Sequence, residues 1–436
     1  MTGQVLLTWH ERRLTGRYDA PAAVARLCAS GLLGEHVAYE RDGRFIVGGR
    51  AVGAVTVTRG AITSTFAEPE PWSVRPWPGI ARALARCPVP GWSALGWACF
   101  ELASPALPAG PGPLLQLMVP GLEVHLDAAG ARIRSLDPEA MDGVAAVLAA
   151  TPAPAATPTP VDVTGDAAGY RLGVARAVAE IRRGRLDKVI LSRTVPVGFP
   201  VDLPATYALG RAANTPARSF LLDLGGWEAA GFSPESVVEV DTAGTASTQP
   251  LAGTTARTAD PAGDAARRVA LLADPKEVFE HATSVKLAFE EMESVAAPGT
   301  TRISEFLAVQ QRGSVQHLGS RVVAELDGAR GPWDALGAVF PAVTASGIPK
   351  APALDLITEL EDGPRGLYAG AVLCAGADGG LDAALVLRAI YRHAGRSWLR
   401  AGAGLVRASR PEREYAETCE KLASVAPYVV AARTVG

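Results

Sequence analysis

The chain has 436 residues, 48% of them hydrophobic and 20% charged, with a formal net charge of −3. This length allows up to about three domains, and Gly (46) and Pro (33) fall short of the fraction that marks low complexity. Near-zero charge leaves no basic field for nucleic acid or an anionic membrane, which points to a protein that handles a small molecule. The five cysteines (Cys28, Cys87, Cys99, Cys374, Cys419) are scattered and never form a C-x-x-C pair. That pattern argues for reduced thiols rather than a disulfide framework or structural zinc. No basic-then-apolar leader pattern opens the chain and no apolar run reaches membrane-spanning length, so a cytoplasmic location is expected.

Residues 1–150 read as short strands and turns. Leu122–Leu136 alternates, breaks at Ala-Ala-Gly and alternates again, which predicts an antiparallel hairpin. Residues 151–164, TPAPAATPTPVDVT, form a Pro-rich connector that reads as a linker or as a surface strap within one domain. Residues 165–436 make the longer portion. Ala167–Arg183 has helical spacing, with Asp166 as N-cap and Gly184 as terminator. Lys188–Val197 reads as a strand, and SVVEV followed by DTAGTASTQPL as a second hairpin. A long helix is predicted from Asp274, with Pro275 at its first position and Glu277 closing a capping box. The stretch 370–406 reads as three strands joined by Gly-rich turns. A last helix is predicted from Ser409, with Glu412 completing a second box. Strand meanders interleaved with helices predict an α+β fold with large antiparallel sheets.

The two boxed helices carry paired carboxylates, Glu277 with Glu280 and Glu414 with Glu417, each pair on one helix face. Capping alone accounts for Glu277, and Glu417 can pair with Lys421 on a solvated face. If the helices faced each other, four carboxylates would need a cation, and hard oxygen ligands favour Mg2+. Lys188 opens an apolar strand, where a lysine usually just reaches solvent; as a base it would need burial or nearby cations to lower its pKa from about 10.4. Glu235 follows a Ser-Pro bend, and a buried glutamate there could hold a proton near neutrality and act as an acid. His317 alone reads as a core histidine. PLAGTT, TASGIPK and RAGAGLV could offer backbone N–H groups to an anion, yet none has the setting of a P-loop or dinucleotide fingerprint. From the residues alone, the reading is an anionic small-molecule site that could use Mg2+.

Nine strings run in order between about Tyr170 and Val430: KVILSR, FSPE, PLAGT, DPKEVFEHA, RGSVQHLGS, FPAVTASGIPK, GPRGLYAGAV, LRAGAGL and PEREYAETCEK. Together they closely resemble the chorismate-utilising enzymes, a family of isochorismate, salicylate, anthranilate and aminodeoxychorismate synthases. SVQHLGS, FPAVTASGIPKA and PRGLYAGAV are most similar to the branch that makes salicylate. The resemblance implies one large two-lobed α+β fold, chorismate as substrate and Mg2+ as cofactor. It implies that Lys188 is the general base for water attack at C2, that Glu235 is the general acid for departure of the C4 hydroxyl, and that His317 shapes the later pyruvate elimination. Glu280 and Glu417 would bind Mg2+ directly, with Glu277 and Glu414 holding its waters. Arg388, Tyr368 and the backbone near Gly402 and Gly404 would grip a substrate carboxylate. Lys421 would neutralise the acidic end, and Gly253, Thr254 and Thr344 would line the ring pocket. A monomer without a glutaminase subunit is expected. The rival readings are an isochorismate synthase that stops at the first step, an amine-transferring relative, which Lys188 disfavours, and a non-catalytic chorismate binder.

Overall fold

The computed structural model describes residues 7–433 apart from 111, 152–155, 259 and 313–314. Two long strands organise it, Arg44–Thr58 and Leu115–Asp127, which pair antiparallel along their length with a register shift between Ala51 and Gly53. On either side of that irregularity each strand has a different second neighbour. Residues 44–49 pair with His36–Arg41, whereas 55–58 pair with Ala61–Ser64. Residues 115–118 pair with Ser93–Ala98, whereas 122–127 pair with Gly130–Ser135. A bulge bends a strand and strengthens its twist, so one pair of strands can lead into two sheets.

One branch runs from His36–Arg41 through Arg218–Leu224, Trp227–Ser233, Ala389–His393 and Arg396–Leu405 to Lys188–Val197. The other runs from Ser93–Ala98 through Ala371–Gly376, Leu381–Leu385, Ser236–Val240 and Thr245–Thr248 to Val315–Glu325. All these pairings are antiparallel, as the α+β expectation required. Both branches start on strands from residues 1–150 and continue on strands from 165–436, so the two portions share their hydrogen-bond ladders.

Alternation along the strands sorts side chains into two cores. In Arg218–Leu224, Phe220, Leu222 and Leu224 enter one core while Leu221 enters the other. The larger core takes in Trp97, Leu117, Phe220, Val238 and Leu373 from both branches. The second core packs the opposite face of the first branch under the helices Ala20–Ala29, Ala140–Ala149 and Leu203–Ala213.

Several local expectations hold and others need correction. The hairpin around Leu122–Leu136, the strand Lys188–Val197, the hairpin Ser236–Val240 with Thr245–Thr248, and the helix Ala167–Arg182 are all present. Asp166, however, sits in the left-handed region (φ 53°) rather than the extended conformation of a capping residue, and its side chain makes no cap. The stretch 370–406 holds four strands rather than three, because Arg388 (φ 52°) adds a corner that its side-chain type does not advertise. Of the connector, residues 152–155 lie outside the described residues; beyond them, Thr159 and Val161 N–H groups bond to Val429 and Ala426 carbonyls. The opening six residues and Gly313–Ser314 of RGSVQHLGS are likewise outside the described set. All five cysteines are free thiols, and no helix among the described residues is long and apolar enough to cross a membrane.

Trp97 is fully buried, and its indole N–H donates to the Leu224 carbonyl (2.9 Å) across the two branches. Trp97→Ala should cost about 3–5 kcal/mol through cavity formation, read as a lowered urea midpoint. An unchanged midpoint would show that this core is not shared between the branches.

Candidate active site

Two helices and two sheet ends define a cavity that, with its open mouth, encloses about 670 Å3. The helix Pro275–Glu293 starts at Asp274, whose carboxylate accepts from the N–H groups of Lys276 and Glu277. It buries His281, Ser284, Val285, Ala288 and Met292, a stripe at helical spacing, and packs on the strand Val315–Glu325. That contact turns its first two turns, with Glu277 and Glu280, towards the cavity. Glu277 does not close the expected capping box; its carboxylate instead accepts from the Thr254 N–H at 3.1 Å. The last helix is Pro411–Leu422 and begins two residues later than expected. Ser409 accepts from the Val406 N–H rather than capping, because the strand end holds it inward. The helix packs on Arg396–Leu405, placing Glu414 and Glu417 opposite Glu280.

Glycine makes this approach possible. A Cβ on Gly404 would lie 2.2 Å from Glu280 Oε1, and one on Gly402 would lie 2.8 Å from the Tyr368 hydroxyl. Gly253 has φ +85°, which L side chains rarely adopt. The strand backbone itself is therefore a wall of the cavity.

The four carboxylates interlock with three lysines. Lys188, expected to reach solvent if merely structural, is 1% exposed. Its Nζ lies 2.9 Å from Glu280 Oε1 and donates to Ser284 Oγ (3.0 Å). Lys276 Nζ lies 2.9 Å from Glu277, 3.9 Å from Glu280 and 3.6 Å from Glu414. Lys421 Nζ lies 2.7 Å from Glu417 and donates to the Gly402 carbonyl. Burial, with Glu417 nearby, raises the Glu414 carboxyl to about 7. Burial also pushes against ionisation of Glu417, but Lys421 and Lys276 outweigh it and hold that carboxyl below its ordinary value. Glu414 Oε2 is buried without a hydrogen-bond partner. As a donor set these oxygens suit a hard divalent cation. They do not form a ready cage: among the described residues no three potential ligands converge on one point, and an ammonium head stands between them.

Across the cavity, Glu235 is 3% exposed. Its two oxygens accept from Thr344 Oγ1 (2.6 Å) and the Leu251 N–H (2.7 Å). Burial raises its carboxyl to about 7, although those hydrogen bonds and Lys188 pull the other way. Arg388 and His317 meet at 3.4 Å, Nη2 to Nε2. A guanidinium cannot accept a hydrogen bond, so Nε2 accepts and Nδ1–H is left to donate to Thr254 Oγ1 (3.0 Å). Burial, reinforced by Arg388, keeps the His317 pKa well below its usual value, so the ring is neutral. Arg388 is itself 8% exposed and, among the described residues, has no carboxylate within ion-pair distance; burial lowers its pKa to about 10. An unpaired buried guanidinium is costly and marks a place for an anion.

Thirteen of the fifteen residues expected from sequence line this one cavity: Glu235, Gly253, Thr254, Glu277, Glu280, His317, Thr344, Tyr368, Arg388, Gly402, Gly404, Glu417 and Lys421. Lys188 and Glu414 stand one side chain behind it, in contact with Glu280 and Lys276. Sequence reasoning missed Lys276, whose signal was a cation at a helix N-terminus, where the dipole disfavours it. It also missed Arg400, a cavity residue held by Glu361 (2.6 Å) and Ser192 (2.8 Å). Arg400 and Arg365 both lie over the Tyr368 ring, which fixes that side chain from behind.

Comparison with known proteins follows the same lines. The signature of the family described as chorismate binding enzyme matches residues 37–427. A salicylate synthase of Mycolicibacterium paratuberculosis is 43% identical over 410 residues, spanning 91% of this chain and 90% of that protein. Anthranilate synthase component 1 of Aeropyrum pernix is 39% identical over 259 residues, 59% of each chain. Among solved structures, MenF, the menaquinone-specific isochorismate synthase of Escherichia coli, aligns with a TM-score of 0.76 at 21% identity, covering 98% of this chain and 96% of its own. Anthranilate synthase component I of Streptococcus pneumoniae aligns with a TM-score of 0.74 at 24% identity, covering 89% and 92%. At these identities the structural likeness is one of fold.

Lys276→Met should leave three carboxylates without their shared cation and cost about 3 kcal/mol, seen as a lower thermal midpoint at pH 8. A variant as stable as the parent would show that Lys276 does not balance the cluster.

Proposed function

The chain belongs to the chorismate binding enzyme family and is an enzyme of the chorismate-utilising group, and from that premise we propose that it is a Mg2+-dependent salicylate synthase. The reaction is conversion of chorismate through isochorismate to salicylate and pyruvate, serving siderophore or related natural-product biosynthesis in the cytoplasm. The chain works as a monomer without a glutaminase subunit. The observation that carries the reading is the polarised cavity: unpaired Arg388 on one side, the carboxylate cluster on the other, and Glu235 between them. Identity of 43% across nine-tenths of a salicylate synthase supports the same choice.

Chorismate is a dianion. Arg388 and the Tyr368 hydroxyl, beside the backbone of residues 402–404, receive one carboxylate. Mg2+ held by Glu277, Glu280, Glu414 and Glu417 would neutralise the other. Lys188 takes a proton from the water that attacks C2, and Glu235 gives one to the hydroxyl leaving C4. A glutamate whose carboxyl titrates at about 7 is protonated often enough near neutrality to do this. The second stage moves a hydrogen within isochorismate and breaks the C3–O bond, so the site need only hold a conformation. Neutral His317, fixed by Thr254 and Arg388, suits positioning rather than proton transfer.

Purified protein with chorismate and Mg2+ should yield salicylate and pyruvate on chromatography. Isochorismate as sole product would reduce the reading to its first half, and anthranilate with added ammonia would overturn it. Lys188→Ala should abolish chorismate consumption, and EDTA should stop turnover until Mg2+ is restored. Because Glu235 must carry its proton, kcat/KM should fall as pH rises through about 7. Glu235→Gln should remove both that limb and most of the rate, about 100-fold or more. A persistent limb in this variant would assign it to another group.

A further inference from the structure

Hydration of chorismate leaves the protein out of balance even though no net proton is consumed. The attacking water gives one proton to Lys188 while its oxygen bonds to C2. Glu235 gives one proton to the C4 hydroxyl, which departs as water. Glu235 therefore ends ionised and Lys188 protonated, so before the next turnover Lys188 must lose a proton to solvent and Glu235 must gain one from it. At that moment its front faces the occupied cavity.

A second opening lies behind it. A small cavity, with room for about one water molecule, is lined by Glu235 and Thr344 on one side and by Glu291 and Gln249 on the other. Thr344 also lines the main cavity and donates to Glu235. Glu291 sits on the buried side of the helix Pro275–Glu293 and pairs with Lys350 at 2.5 Å. Lys350 donates to the Val339 carbonyl and lines an open surface groove of about 1,100 Å3 together with Asp355 and Glu359. Glu235, Thr344, the water-sized cavity, Glu291 and Lys350 thus stand in sequence between the reacting centre and the surface groove.

We infer that Glu291 and Lys350 form a proton relay that reprotonates Glu235 from the rear, through Thr344 and a water in the small cavity. The inference rests on the reading of Glu235 as the acid of a chorismate hydration. A charged pair with both side chains largely buried costs desolvation without adding stability over apolar residues, so a role in moving charge accounts for keeping it there. The groups facing Glu291 are Lys350 and the neighbouring Glu290; those facing Glu235 are Lys188, Lys421 and Arg388. Burial raises the Glu291 carboxyl to about 7 against the pull of Lys350, the same direction as for Glu235. Gln249, buried and otherwise without an assigned task, borders the same water-sized space.

The two stages of the reaction separate relay from scaffold, because only the first uses Glu235 as a proton donor. Glu291→Gln, which keeps shape and hydrogen bonding, should lower kcat for chorismate about tenfold or more with KM unchanged, and should shift the pH profile. Supplied with isochorismate, the same variant should release pyruvate at the parent rate. Lys350→Met provides the second arm and should show the same split. Full chorismate turnover in both variants would overturn the relay and leave the functional reading standing. Equal losses on both substrates would mark a structural role and also overturn it. A parent protein that leaves chorismate unchanged would overturn the functional reading, and the relay with it.

Discussion

Everything at the cavity depends on how buried carboxylates are kept charged. Glu280 stands between Lys188 and Lys276, and Lys276 extends the same compensation to Glu277 and Glu414. In a low-dielectric setting such groups persist only when paired. The alternation of sign across two helices and a strand therefore fixes how closely those elements pack. The glycines of Arg396–Leu405 permit that distance, and the cost of misplacing any member falls on its neighbours. A cation entering this cluster must compete with Lys276, whose charge the surrounding glutamates favour against the cost of burial.

The opposite wall carries the complementary imbalance. Arg388 is a buried cation lacking a carboxylate partner among the described residues, held at a corner of positive φ. Protein folding alone gives little reason to place it there. Together the two walls give the cavity opposite characters, a cation without a carboxylate partner on one side and a carboxylate cluster on the other. The buried Glu361 pairs with Arg365 and Arg400 beneath Tyr368, giving this wall a rigid back.

The two sheet branches explain why the site can be assembled from distant segments. Lys188 and Gly404 come from the end of one branch, and Thr254 and His317 from the end of the other. The shared strands Arg44–Thr58 and Leu115–Asp127 hold the branches in register. The described residues of 1–150 supply no side chain to the main cavity, yet without their strands the two ends would have no common frame.

Strand alternation, helix starts at Pro275 and Pro411, and the ordered strings shared with a known family made the α+β class and most residues lining the main cavity legible from the chain alone. Local rules sufficed there because hydrophobic period, proline and glycine act over a few residues. They failed where a side chain had two partners to choose between. Glu277 and Ser409 satisfy capping patterns on paper, but tertiary packing offers them the Thr254 N–H and the Val406 N–H instead. The partnership of Lys276 with Glu414 was not legible, because nothing in its neighbours along the chain places the two together. The sequence by itself thus determined which chemical groups are present and on which elements they lie. Only the tertiary structure decided which of them meet, which are buried and which charge faces which, because Coulomb energy and desolvation depend on distances across space rather than along the chain.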